Sequence, residues 1–144
     1  MSHEPIVILC PGQGAQAVGM GKAWRDASDA AANTFKEADE ILADSLGAPL
    51  SELCFEGPAE KLNRTDITQP GLYVSGVASY RGMVQLHGPM PIAAAAGLSL
   101  GEYTALHLAG AFDFAQGLKL VALRGKLMQE AAERILAIDA NFKR

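Results

Sequence analysis

Basic residues are scarce. Lysine and arginine number 12 against 16 acidic residues, giving a formal net charge of −4 and a pI near 5.3. Without a basic stripe the chain lacks the electrostatic footprint of a nucleic-acid binder, and no nucleic-acid partner is expected. Cysteine is scarcer. Cys10 and Cys54 form no CxxC and no metal-ligand spacing. Both lie in apolar stretches, which reads as two core thiols in a reducing compartment. No apolar stretch reaches the ~20 residues that a membrane-spanning helix needs. The opening Met1-Ser2-His3-Glu4-Pro5 has no basic region before its short apolar run, unlike a signal peptide. A cytoplasmic location with no membrane partner is expected. Repeats, low-complexity tracts and linkers are missing too, so residues 1–144 read as a single domain.

What is present suits a soluble globular protein: 49% hydrophobic and 19% charged residues, on a chain long enough to bury a core without staples. Lys119, Arg124, Lys126, Lys143 and Arg144 form the one basic grouping that an acidic partner would meet, and they read as solvated helix faces.

Ile6-Val7-Ile8-Leu9-Cys10 is a continuous apolar run stopped by Pro11-Gly12, the pattern of a strand buried on both faces. The loop Pro11-Gly12-Gln13-Gly14-Ala15-Gln16 follows. A helix is predicted over 28–46, with Phe35, Ala38, Ile41, Leu42 and Leu46 on one stripe and Gly47 as its stop. Short helical pieces are predicted from Leu50 to Phe55 and from Pro58 to Asn63. Gln69-Pro70 is expected to open a longer helix to about Leu86, with Leu72, Val77, Tyr80 and Val84 inward, broken by Gly88-Pro89. Ile92-Ala93-Ala94-Ala95-Ala96 is ambiguous by propensity. Its length and flanks favour a strand whose small side chains admit helices on both faces. A helix to Ala109 and Gly110 comes next. Asp113 and Gln116 then form a capping box for a last helix running at least to Ala132. Strand, several helices, strand and two helices in this order open an α/β fold with a parallel sheet. Two strands make a thin sheet.

Gly97-Leu98-Ser99-Leu100-Gly101 fits G-x-S-x-G between that second strand and a helix. Such an elbow holds a serine hydroxyl exposed on a strained turn, and the glycines let the turn close. The Leu100 N–H then lies at a helix N-terminus, where free donors and the helix dipole stabilise an oxyanion. Loss of one such donor costs about 3 kcal/mol of transition-state stabilisation.

The elbow continues as Glu102-Tyr103-Thr104-Ala105-Leu106. With Pro11-Gly12-Gln13-Gly14-Ala15-Gln16, Gly57-Pro58-Ala59-Glu60, Thr68-Gln69-Pro70 and Leu123-Arg124-Gly125-Lys126-Leu127-Met128-Gln129, it resembles the malonyl-CoA:acyl-carrier-protein transacylases over roughly residues 5–132. The resemblance implies that Ser99 attacks a malonyl thioester and carries the acyl group to an acyl-carrier protein. It implies that the Gln13 and Leu100 N–H groups form the oxyanion hole and that Arg124 binds the malonyl carboxylate. A guanidinium grips a carboxylate through two parallel hydrogen bonds and never loses its charge. Malonyl-CoA is then a substrate, and no metal or redox cofactor is implied. Gln69 either shapes the pocket or caps the next helix. Glu102 either orients the elbow or complements the helix N-terminus, and the helix role is preferred.

Two departures from the family pattern stand out. Leu98 occupies a position that often holds histidine. After Met128-Gln129-Glu130-Ala131-Ala132 the chain does not follow the family into its ferredoxin-like subdomain and catalytic histidine, so it reads as a partial N-terminal portion. A serine hydroxyl needs a base within hydrogen-bond reach. His3 lies in the N-terminal tail, and His87 sits just after a helix and is expected to be exposed. His107 is eight residues beyond Ser99 on the same helix, about 12 Å along its axis at ~1.5 Å per residue. None serves, and the isolated chain is expected to be a crippled acyltransferase that dimerises or docks a complementary chain. A non-catalytic binding or assembly module is the rival reading. An α/β-hydrolase sharing only the elbow fits less well, since it would need an acid and a histidine after Ser99.

Overall fold

The computed structural model describes residues 4–142. His3, Lys143 and Arg144, singled out above, lie outside the described residues. The order is β1 (Ile6–Cys10), α1 (Lys22–Ala27), α2 (Asp29–Leu42), a 3-10 turn (Ala43–Leu46), α3 (Leu50–Glu56), α4 (Ala59–Leu62), α5 (Thr65–His87), β2 (Ile92–Gly97), α6 (Leu100–Leu108) and α7 (Phe114–Phe142). β1 and β2 pair in parallel, with Val7 opposite Ala94 and Cys10 opposite Gly97. The crossover between them carries five helices, and α6 follows β2 to pack across both strands. The α/β architecture with a small parallel sheet is as expected.

The core sits among the helices. Phe35, Leu50, Leu53, Tyr73, Val77, Leu100, Leu118 and Val121 are buried between α2, α3, α5, α6 and α7. Phe35 and Phe55 meet edge-on with ring centroids 4.7 Å apart. Cys10 and Cys54 are both buried and unbridged. Ser28 caps α2 by accepting the Ala31 N–H. Asp113 and Gln116 exchange side-chain-to-backbone bonds of 2.7 and 3.1 Å and start α7 as predicted.

The structure corrects four expectations. β1 is not buried on both faces: Val7 is 63% and Leu9 78% exposed. Ala93, Ala94 and Ala96 of β2 are exposed as well, so helices do not cover both faces of the sheet. The apolar composition of these strands reflects both faces, while the described helices cover only one. α5 begins at Thr65, four residues before the expected start, and carries Pro70 inside it. Pro70 falls in the second turn, past the free first-turn donors, and leaves the Asp66 carbonyl without its i+4 donor. Tyr80 and Val84 are only half-buried, and the deepest α5 side chains are Tyr73, Val74 and Val77. α1 gave no clear periodic signal in six residues.

Candidate active site

The elbow places Ser99 at the junction of β2 and α6 with φ 54° and ψ −105°. This left-handed-side conformation is uncommon for a residue with a Cβ and stores about 1–3 kcal/mol held by its surroundings. Those surroundings are visible. The Glu102 carboxylate accepts the Ser99 N–H at 3.1 Å, and Gly101 N–H donates to the Leu98 carbonyl at 3.0 Å. Glu102 therefore serves both readings given to it, since the bond that complements the helix start also fixes the elbow. Of the first donors of α6, the Leu100 N–H is left over for a ligand among the described hydrogen bonds. The loop bearing Gln13 abuts the turn: a Cβ on Gly12 would lie 2.5 Å from the Leu98 carbonyl oxygen.

Three of the sequence-derived site residues meet directly. Arg124 on α7 donates from Nη2 to Ser99 Oγ at 2.9 Å and from Nη1 to Gln69 Oε1 at 2.7 Å. Gln69, on α5, is completely buried, and its Nε2 donates to Met128 Sδ at 3.2 Å. Because α5 starts at Thr65, Gln69 lies inside the helix and does not cap it. Its amide is oriented by two partners, with oxygen toward the guanidinium and nitrogen toward the thioether. No carboxylate pairs with Arg124 among the described ion pairs, unlike Arg64, which pairs with Asp66 and Glu133. The Arg124 guanidinium stands 5.6 Å from the centroid of the Tyr103 ring, a contact worth about 0.5–1 kcal/mol when exposed. It is a cation held in place without being neutralised, which suits it to take an anion. Lys119 and Lys126 are exposed on the same helix, as expected of solvated faces.

Sequence reasoning missed Tyr103, Met128, Thr65 and Gln129. Two were legible from spacing: Tyr103 is one turn after Ser99, and Met128 one turn after Arg124. Gln13 Nε2 donates to Thr65 Oγ1 at 3.1 Å, and Gln129 Oε1 accepts the Thr65 N–H at 2.9 Å. Neither bond is visible in a linear pattern. His87 is exposed, as expected. His107 points its Nδ1 to the Phe112 carbonyl at 3.1 Å, stacks on Phe112 and meets Tyr73 and Phe114 edge-on. Among the described residues no imidazole or carboxylate hydrogen-bonds Ser99 Oγ; its partner is Arg124. A groove of about 710 Å³ runs elsewhere, between β1 and Trp24, Leu72, Tyr80 and Met83.

The family model described as the acyl transferase domain matches residues 7–135. The malonyl CoA-acyl carrier protein transacylase of Escherichia coli is 48% identical over 126 residues, 88% of this chain and 39% of that protein. A polyketide biosynthesis malonyl CoA-acyl carrier protein transacylase of Bacillus velezensis is 44% identical over 132 residues, 92% of this chain and 43% of the relative. Among solved structures, the transacylase of Coxiella burnetii superposes with a TM-score of 0.80 at 40% identity, over 90% of this chain and 39% of that one. A malonyl-transacylase in complex with a type II polyketide acyl-carrier protein superposes at 0.78 and 44% identity, covering 89% of this chain and 40% of that one. The chain thus spans about 40% of the length of the relatives it matches.

Proposed function

Because the chain belongs to the acyl transferase domain family, we propose that its Ser99 accepts a malonyl group from coenzyme A and passes it to an acyl-carrier protein, as in fatty-acid or polyketide synthesis. The observation that carries this reading is the unneutralised Arg124 guanidinium 2.9 Å from Ser99 Oγ. The Ser99 oxygen bonds to the thioester carbonyl carbon, the carbon–sulfur bond breaks, and the serine proton ends on the departing coenzyme A thiol. In the second half a carrier thiol attacks the serine ester and the proton returns to Ser99 Oγ. The Leu100 and Gln13 N–H groups stabilise the oxyanion, and Arg124, steadied by Gln69, holds the malonyl carboxylate. This chemistry moves no electrons between substrates and calls for no metal or redox cofactor. The expected setting is the cytoplasm.

Acylation by the described residues alone is expected to be slow, because none of them contacts Ser99 Oγ as a base and loss of one member of a triad removes most but not all catalysis. Intact-mass spectrometry after incubation with malonyl-CoA tests the reading. A malonyl adduct is expected on the wild type and not on Ser99→Ala, and a folded wild-type chain that stays unmodified would refute it.

The bare face of β1 favours a second reading: a binding or assembly module that pairs with a complementary chain or a second copy. That reading expects turnover to appear, or to rise sharply, when a separately expressed C-terminal portion of a relative is added.

A further inference from the structure

The loop between β1 and α1 is glycine-rich and exposed, yet it must hold the Gln13 N–H at a fixed place beside the elbow if the reading above is right. Two glutamine amides tie it down. Gln13 Nε2 donates to Thr65 Oγ1 at 3.1 Å. Gln16 Oε1 accepts the Gly14 N–H at 2.7 Å while its Nε2 donates to Asn63 Oδ1 at 2.9 Å. Both tethers end on the corner where α4 gives way to α5. That corner is in turn gripped by α7. Gln129 Oε1 accepts the Thr65 N–H at 2.9 Å, and one turn closer to the site Arg124 bonds Gln69. α7 approaches closely enough to do this because residue 125 is glycine: a Cβ there would lie 2.8 Å from the Thr65 carbonyl oxygen.

We infer that Thr65 and Gln129 are positioning residues that lock the Gln13 loop to the helix bearing Arg124. The clamp sets the oxyanion donor and the carboxylate-binding guanidinium in one frame, although neither residue touches Ser99. This inference rests on the acyl-transfer reading for its catalytic meaning, but the clamp itself is a statement about the loop. Thr65 is the pivot because its hydroxyl takes the loop while its N–H takes α7. Removing the hydroxyl alone cuts the Gln13 tether, while the Gln16–Asn63 bond and the α5–α7 pairing stay in place.

The test uses the whole chain with Thr65→Val, Thr65→Ser, Gln13→Leu, Gln129→Leu and the Thr65→Val/Gln13→Leu double variant. The rate of Ser99 acylation is followed by intact mass across a range of malonyl-CoA concentrations. Thr65→Val is expected to lower the maximal rate at least fivefold with half-saturation held within twofold, and Gln129→Leu to lower it similarly. Thr65→Ser restores it, and the double variant is no slower than either single one, because one bond is removed in all three. A maximal rate within twofold of wild type in Thr65→Val, additive losses in the double variant, or a loss carried by half-saturation alone overturns the inference.

Amide hydrogen exchange at Gln13 and Gly14 provides a readout that does not depend on turnover. It is expected to quicken at least threefold in Thr65→Val and to recover in Thr65→Ser. Unchanged exchange overturns the clamp whether or not any adduct forms. A wild type that forms no adduct while its loop exchange responds keeps the clamp and refutes the acyl-transfer reading instead.

Discussion

At the scale of single residues, the site works through what surrounds a charge. Arg124 has a neutral amide, a hydroxyl and an aromatic ring around it, and no carboxylate forms a salt bridge with it among the described ion pairs. Replacing it by lysine keeps the charge but loses the fork that reaches Ser99 and Gln69 together. Arg124→Lys is expected to weaken half-saturation by malonyl-CoA about tenfold in the acylation assay. A change under twofold would mean that charge alone suffices. Elsewhere burial, with Asp39 adding to it, pushes the Cys54 thiol up to about 12 from its ordinary value of 9.0. A raised pKa on an acid means that the unfolded chain loses its proton first. The stability contributed by this thiol is therefore complete below about pH 9 and erodes as the pH climbs from there toward 12. Thermal melts from pH 8 to pH 10.5 should fall for the wild type and fall less steeply for Cys54→Ala. Equal slopes would show that the thiol is not the group responsible. Cys54 should also resist thiol reagents in the native state, being buried and protonated.

Single elements show what the sequence discloses and what it withholds. The elbow was legible because a strained turn has few solutions, and Gly97-Leu98-Ser99-Leu100-Gly101 writes one of them out. α2 and α7 were legible because Ser28 and Asp113 are capping residues followed by periodic apolar positions. The start of α5 was not, because Pro70 looks like a boundary. The real first turn, at Thr65, is held by Gln129, 64 residues away in sequence. The same limit hid the Met128 contact that orients Gln69, while the meeting of Ser99 and Arg124 was reached only through the family resemblance. The α5–α7 crossing should be intolerant of added volume. In Gly125→Ala the new methyl would meet the Thr65 carbonyl oxygen at 2.8 Å and the Asp66 Cα at 3.1 Å, backbone atoms that cannot swing aside. A loss of about 1–3 kcal/mol, read from denaturant melts, is expected from such overpacking. A neutral result would mean that the helices separate freely.

At the scale of the whole molecule, the sheet is the thin side. The described helices form a dense core, whereas Val7 and Leu9 stand 63% and 78% exposed on β1, with Leu98 at 77% beside the elbow. Apolar composition told us these strands belonged inside something; it did not tell us on how many faces the rest of the chain would cover them. Parallel strands left bare in this way are prone to pair with other chains. Sedimentation is expected to show concentration-dependent association that Leu9→Glu reduces. A wild type that stays monomeric at high concentration would show that the bare face does not recruit a second copy.

The uncovered strands, with Leu123, Leu127, Ile135, Leu136 and Ile138 exposed along α7, give the described surface oily patches among its charges, in the sense used for colloids. Such a particle behaves as a weak surfactant. It is expected to collect at air–water and plastic–water boundaries and to lower surface tension as it does so.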